Sequence, residues 1–316
     1  MVLVEPPIEE VNRLAGLLLG QPTRCTRIAD GENATAYFAD TSNDSLVLRL
    51  SDHDQHFRRD LLAHQNFAHY VPIPKVLLLT ETDLGWAAVS ERVPGTMTDK
   101  LSRPDLQTVA PEILATMDRI HQADISAFAG HGIWDPRTGR GEYDTAQAAA
   151  GGGISSWNDL DHQLRGAISA TGSRSAYVRL YGDVTELLDG VPEQRCLVHG
   201  DYGFNNLLVM RDRVSGVIDW GLSSYGDPIR DLAWLTFWAD DFDFAAAYRG
   251  CSGNMTKSAR FEERLAAFQA RLGLENAVWY ATRADTRGIR WSLQRALTLL
   301  GGSPLQLSQG RDLGAA

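Results

Sequence analysis

Cysteine is scarce in this chain: Cys25, Cys196 and Cys251 are the only three in 316 residues. They are scattered and odd in number, which argues against a disulfide framework, and their spacing suggests no zinc site. A reducing cytoplasm is the expected compartment. Long apolar runs are also missing. None reaches the roughly 20 residues that a membrane-spanning helix needs, so no membrane partner is expected. The opening "MVLVEPPIEEVNRL" lacks the basic segment and small-residue cleavage site of a secretory signal. Positive charge is in deficit, with 30 Lys and Arg against 40 Asp and Glu and a formal net charge of -10. A nucleic-acid partner normally calls for a basic surface, so none is expected. An acidic chain attracts cations instead, either metal ions or polyamine-like substrates. Solubility alone is the plainer reading of that charge.

The length fits one large domain or two lobes. Residues 8–20, "IEEVNRLAGLLLG", have helical apolar spacing and a terminal glycine. The segments "CTRIAD", "ATAYFAD" and "SLVLRLS" read as strands joined by the turns "DGEN" and "TSNDS". "QHFRRDLLAHQNFAHY" reads as a helix stopped by "VPIP", and "KVLLLTET" and "GWAAVSERV" as two more strands. After a "VPGT" crossover the pattern turns helical, beginning with "DLQTVAPEILATMDRIHQAD". The glycine-rich stretch "GHGIWDPRTGRGEYDTAQAAAGGGISS" is long for an ordered loop, which suggests a lid or a partly mobile segment. "WNDLDHQLRGAI" and "AYVRLYGDVTELLDG" are helical, and from Asp227 onward the chain reads as almost wholly helical. The expected organisation is α+β, with a small β-rich lobe over residues 1–93 and a large, mainly helical lobe over residues 94–316.

The most informative stretch is "CLVHGDYGFNNLLVMRDRVSGVIDW". The apolar run "CLV" ends at His199, and "LLVM" begins directly after Asn206. "RDRVSG" reads as a turn and "GVID" as the returning strand. That hairpin brings Asp219 back beside Asn206, so Asp201, Asn206 and Asp219 are expected at one mouth. An ordinary turn would also use Gly, Asn and Asp. The oxygen-rich set, however, suits a hard cation such as Mg²⁺, held by one or two side chains together with substrate phosphates. A carboxylate left free of metal accepts a proton from an attacking hydroxyl.

The spacing H-x-D-x-x-x-x-N followed by I-D resembles the aminoglycoside phosphotransferases and related small-molecule kinases. "GDPIRDLAWLTFW", "VPIPKVL" and "SERVPGT" resemble further landmarks of that family. "VLRLS", "GHGIW…GRGEY" and "HGDYGFNN" resemble its hygromycin B phosphotransferases in particular. The resemblance implies a bilobal, protein-kinase-like fold and use of ATP or GTP with Mg²⁺. It implies that Asp201 is the catalytic base, that Asn206 and Asp219 are metal ligands, and that Asn205 faces the substrate. His199 is expected to brace the loop rather than to titrate in the reaction. Asp231 is expected as a buried support, and Asp227 is equally well read as a helix cap.

On the nucleotide side the family usually places a lysine on the third strand. Here Arg49 stands there, and Asp60 is the best match for its acidic partner. Arginine keeps its charge and grips phosphate in a fork, but its reach differs from that of lysine. No G-x-G-x-x-G occurs in the first lobe. "ADGENATAYFA" takes its place, with Gly31, Asn33, Ala34 and Thr35 as candidates to wrap phosphates through backbone N–H groups. Glu91 and Val93 mark the expected hinge against a purine edge.

On the acceptor side, "WLTFWADDFDF" sets Asp240, Asp241 and Asp243 close to Trp234 and Trp238. Carboxylates with aromatic faces suit a cationic, aminoglycoside-like molecule. Trp234 and Trp238 are also spaced i, i+4, as core residues are. Glu142 and Tyr143 are further possible contacts. The expected enzyme is a monomeric O-phosphotransferase of an aminoglycoside, hygromycin B-like in type. The alternatives are a kinase of choline, homoserine, a sugar or a macrolide, and a catalytically inactive kinase-like binding protein.

Overall fold

A computed structural model describes residues 6–30, 34–239, 242–251 and 254–301. The elements in chain order are α1 (Ile8–Leu19), β1 (Arg24–Asp30), β2 (Thr35–Asp40), β3 (Ser45–Ser51), α2 (Gln55–Phe67), β4 (Val76–Thr82), β5 (Gly85–Glu91) and β6 (Thr96–Met97). Then come α3 (Arg103–His121), β7 (His131–Trp134), β8 (Gly141–Tyr143), α4 (Ala146–Gly151), α5 (His162–Ala170), α6 (Arg174–Leu187) and β9 (Cys196–Val198). The chain continues through β10 (Leu207–Met210), β11 (Arg213–Val217), β12 (Ser224–Gly226), α7 (Ile229–Trp238), α8 (Phe244–Gly250), α9 (Phe261–Thr282) and α10 (Thr286–Leu299). The α+β class expected from the sequence holds, with strands gathered early and helices late. The chain forms two compact units: Met1–Glu142 with Cys196–Tyr225, and Tyr143–Arg195 with Gly226–Ala316.

In the first unit, a five-stranded antiparallel sheet runs in the order β1-β2-β3-β5-β4. Tyr37, Ala39, Leu48, Leu50, Ala87 and Val89 line one face and pack with Val11 and Ala15 of α1. Each large apolar side chain buried there contributes about 1.5–3 kcal/mol. Successive side chains on a strand point to opposite faces. Leu48 and Leu50 go toward α1, so Arg49 between them faces the other way, where it meets Phe57 and Asp60 of α2.

A three-stranded sheet, β11-β10-β6, carries the β10–β11 hairpin. The "VPGT" crossover is therefore not a free linker: Thr96 and Met97 pair with Val209 and Leu208. Gly95, at φ 141°, permits this because a Cβ there would lie 2.8 Å from the Val209 carbonyl oxygen. The hairpin turn is shorter than "RDRVSG" suggests. Arg211 and Asp212 both take positive φ, 50° and 60°, as a two-residue type I′ turn requires. The returning strand accordingly starts at Arg213.

The third sheet has the order β8-β7-β12-β9. Its β7–β8 pair replaces much of the irregular stretch expected after Gly130. The glycines there serve strand packing: a Cβ on Gly141 would lie 2.5 Å from the His131 carbonyl oxygen. Phe67, Phe128, Trp134 and Tyr225 form an aromatic cluster beside it.

The second unit is helical around α9, which packs against α10, α7, α6 and α5. Buried on many sides, α9 carries apolar residues around much of its circumference, as a core helix does. It also carries Arg264, fully buried and paired with Asp227 at 2.5 Å. Asp227 accepts from the Ile229 amide at 3.0 Å as well, so it both holds the first amide of α7, one residue ahead of the cap position at Pro228, and neutralises Arg264.

Candidate active site

The site begins with the loop between β9 and β10. Gly200 sits at φ 83°, and a Cβ on it would collide with the Leu222 carbonyl oxygen. Only glycine lets the loop lie this close to the segment after Asp219. His199 is fully buried. Its Nδ1 accepts from the Asp201 amide at 3.3 Å, which leaves Nε2 to donate to the Ile218 carbonyl at 3.1 Å. Its ring packs 4.7 Å from that of Trp220. His199 thus braces the loop through both ring nitrogens, as the family resemblance implied.

Asn206 is buried, and its side-chain amide donates to the Asp201 carbonyl at 2.9 Å. Its own carbonyl accepts from the Ile218 amide at 2.9 Å. One residue further, Asp219 takes the left-handed conformation, φ 59° and ψ 72°, and its carboxylate accepts from the Gly221 amide at 3.3 Å. Backbone and side-chain bonds therefore connect the positions of Asp201, Asn206 and Asp219. Asn205, between Phe204 and Asn206, is exposed.

The donor set is all oxygen. Among the described residues, no three His, Cys, Asp or Glu side chains form a metal cage. An asparagine oxygen and one carboxylate fit a cation that keeps other ligands from water or phosphate, as Mg²⁺ does.

Arg49 connects this region to the large sheet. Its Nη2 donates to Asp60 at 2.6 Å. Burial pulls the Arg49 pKa down, but the charges of Asp60 and Asp219 and the Asp60 hydrogen bond outweigh it and hold the pKa above its ordinary value. Asp60 has a second contact that the sequence did not reveal: its other oxygen accepts from the Trp220 amide at 2.8 Å. One carboxylate thus joins the β3 cation to the residue after Asp219. Nothing in "RRDLLAHQ" signals this, because the partner is distant in sequence.

The remaining expected residues are placed as follows. Thr35 opens β2 opposite Leu50 and next to Ala36, the strand partner of Arg49. Glu91 ends β5, and its carboxylate accepts from the Lys75 amide at 3.1 Å. The Val93 side chain lies against Gly216, where a Cβ would meet it at 2.7 Å. In the second unit, the Trp238 ring stacks on Trp291 at 5.0 Å and lies 6.4 Å from Trp234. Sequence spacing gave Trp291 no distinction. Asn33, Asp240 and Asp241 lie outside the described residues.

Comparison with known proteins shows the family and the fold. The profile of the phosphotransferase enzyme family matches residues 24–254. Hygromycin-B 4-O-kinase of Escherichia coli is 28% identical over 265 residues, spanning 79% of this chain and 72% of the relative. A crystal structure of a thermostable mutant of aminoglycoside phosphotransferase APH(4)-Ia, in ternary complex with ADP and hygromycin B, aligns with TM-score 0.81 at 23% identity, over 92% of this chain and 98% of the other. Spectinomycin phosphotransferase APH(9)-Ia, in complex with ADP and spectinomycin, aligns with TM-score 0.64 at 14% identity, over 93% and 98%. The fold is protein-kinase-like, and among the described residues no helix is long and apolar enough to cross a membrane. With the profile match covering most of its length, the chain belongs to the phosphotransferase enzyme family and is an enzyme of phosphoryl transfer.

Proposed function

We propose that this enzyme transfers the γ-phosphoryl group of ATP or GTP, with Mg²⁺, to a hydroxyl of an aminoglycoside of the hygromycin B type. The observation that carries the reading is the braced loop. Asn206 donates to the Asp201 carbonyl while its backbone carbonyl accepts from the amide of Ile218, the residue before Asp219. Phosphoryl transfer asks mainly for positioning and charge neutralisation, and this loop offers both without a nucleophilic side chain. In this reading Asp201 orients the acceptor hydroxyl and takes its proton as the new O–P bond forms and the bond to the nucleoside diphosphate breaks. Asn206 and Asp219 would hold the cation, which when bound supplies charge neutralisation on the phosphates. Arg49, poised by Asp60, is assigned to the phosphates, with the backbone near Asn33 and Thr35. Glu91 and Val93 are assigned to the hinge beside the base.

The same proposal takes residues 1–93 as the nucleotide-binding lobe and 94–316 as the catalytic and substrate-binding lobe, in a monomeric, cytoplasmic enzyme. Asn205, Trp238, Asp240 and Asp241 are assigned to a cationic acceptor. The relative named for hygromycin B supports that acceptor class. The spectinomycin phosphotransferase shows that the fold also serves a different antibiotic, since fold alone does not fix substrate. A panel of hydroxyl acceptors, read by nucleoside diphosphate release, separates these readings. Asp201→Ala is expected to keep the fold and nucleotide binding and to lose turnover on every accepted substrate. Normal turnover in that variant removes the base assignment.

A further inference from the structure

Asp219 is held in a left-handed conformation, φ 59° and ψ 72°. Such a conformation is costly in a residue other than glycine, and it persists only where the surroundings over-determine it. The surroundings here are supplied largely by α2. The His56 ring lies against Gly221 so closely that a Cβ on that glycine would collide with it. Asp60 accepts from the Trp220 amide at 2.8 Å. Arg59, between these two, donates from Nη1 to the Gly221 carbonyl at 3.1 Å and from Nε to the Trp134 carbonyl, at the end of β7, at 3.0 Å.

The Trp134 end is itself anchored to the same turn. Its indole N–H donates to Ser223 Oγ, and that hydroxyl donates to the Trp220 carbonyl at 2.5 Å. The bonds therefore close a ring: Arg59 to Trp134, Trp134 to Ser223, Ser223 to Trp220, and Gly221 back to Arg59. Asp219 immediately precedes the closed segment. A guanidinium suits this position because it directs separate donors along fixed lines to two carbonyls, whereas an ammonium is a single compact charge.

We propose that Arg59 is a positioning residue for the cation-binding carboxylate of Asp219, acting through the Gly221 and Trp134 carbonyls. The inference rests on the nucleotide and magnesium reading above. It assigns Arg59 no contact with nucleotide or acceptor. Its loss loosens the turn that aims Asp219, so the effect falls on the part of nucleotide affinity that depends on the cation. A mere tether between α2 and β7 would act on stability or on all nucleotide binding alike.

The experiment is isothermal calorimetry of a non-hydrolysable ATP analogue, with excess Mg²⁺ and with EDTA, on the full chain. The variants are Arg59→Ala, Arg59→Lys and, as a control, Arg58→Ala. Arg58 pairs with Asp54 and lies over Trp86, outside the ring. Circular dichroism checks each fold. If Arg59→Ala does not fold, Arg59→Lys, which retains the charge, carries the comparison. Affinity in EDTA is expected to be unchanged in every variant. The affinity gained on adding Mg²⁺ is expected to fall about tenfold or more in Arg59→Ala, the usual effect of removing a group that orients a metal ligand. It falls less in Arg59→Lys and not at all in Arg58→Ala. A full Mg²⁺-dependent gain in both Arg59 variants refutes the inference, as does an equal loss with and without Mg²⁺. A wild-type protein with no Mg²⁺-dependent gain refutes the functional reading and this inference with it.

Discussion

Replacing Asp60 tests the junction between the β3 cation and the Asp219 turn. The Asp60 side chain is 7% exposed and its partner Arg49 20% exposed, at 2.6 Å. Asp60→Ala leaves the Arg49 guanidinium without its nearest counter-charge and the Trp220 amide without its acceptor. Breaking one side of a buried pair costs about 3–5 kcal/mol. The water that reaches Arg49 moves the expectation to the lower end, about 3 kcal/mol. For a unit of this size each kcal/mol moves the midpoint by about 2–4 °C, so Tm should fall by roughly 6–12 °C. Asp60→Asn keeps an oxygen for the Trp220 amide and loses only the charge, so its loss should be about half as large. A double-mutant cycle with Arg49→Ala should return a coupling of about 1–3 kcal/mol. Thermal and urea unfolding read all of these values. Equal losses in Asp60→Ala and Asp60→Asn would falsify the backbone half of the junction, and no loss in either refutes the junction itself.

Four further outcomes are expected. Gly200→Ala should lose about 3 kcal/mol or more in urea unfolding, because a Cβ there meets the Leu222 carbonyl at a positive φ. A loss under about 1 kcal/mol means the loop can shift more easily than argued. Asp227→Ala should cost about 3–5 kcal/mol, since it leaves the fully buried Arg264 unpaired, while Asp227→Asn, which still accepts from Ile229, should cost less. A thiol reagent at neutral pH should label exposed Cys251 quickly and spare buried Cys25 until the protein unfolds. Burial first, and then the charge of Asp40, push the Cys25 thiol from its ordinary 9.0 to about 11. The folded state therefore holds that proton more tightly than the unfolded state. The stability contributed by this thiol is complete below pH 9.0 and lost as pH rises through about 11, so Cys25→Ala should soften the alkaline loss of stability.

The long periodic segments were legible without coordinates. The segment "SLVLRLS" read as a strand, and β3 covers it. The loop between β9 and β10 was legible because its polar residues are crowded between two apolar runs. Four strands were harder to read, each for a physical reason. β6 is a two-residue strand, Thr96–Met97, too short for any periodicity. β11 begins at Arg213 because its turn uses two non-glycine residues at positive φ, where the usual glycine signal is missing. The β7–β8 pair was hidden by its glycines, which suggest looseness in sequence yet allow close backbone approach in the fold. At the site, the Asp60–Trp220 and Arg59–Gly221 contacts join residues about 160 positions apart, and no local pattern encodes them.

The central claim is that Asn206 and Asp219 share one divalent cation in front of the Asp201 loop. The direct measurement is a crystal structure of the enzyme with a non-hydrolysable ATP analogue and Mn²⁺ in place of Mg²⁺, located by anomalous scattering. The account predicts a peak at roughly 2.0–2.3 Å from both the Asn206 side-chain oxygen and an Asp219 carboxylate oxygen, bridged to the nucleotide phosphates. A peak coordinated by neither side chain, with nucleotide bound and the loop ordered, contradicts it.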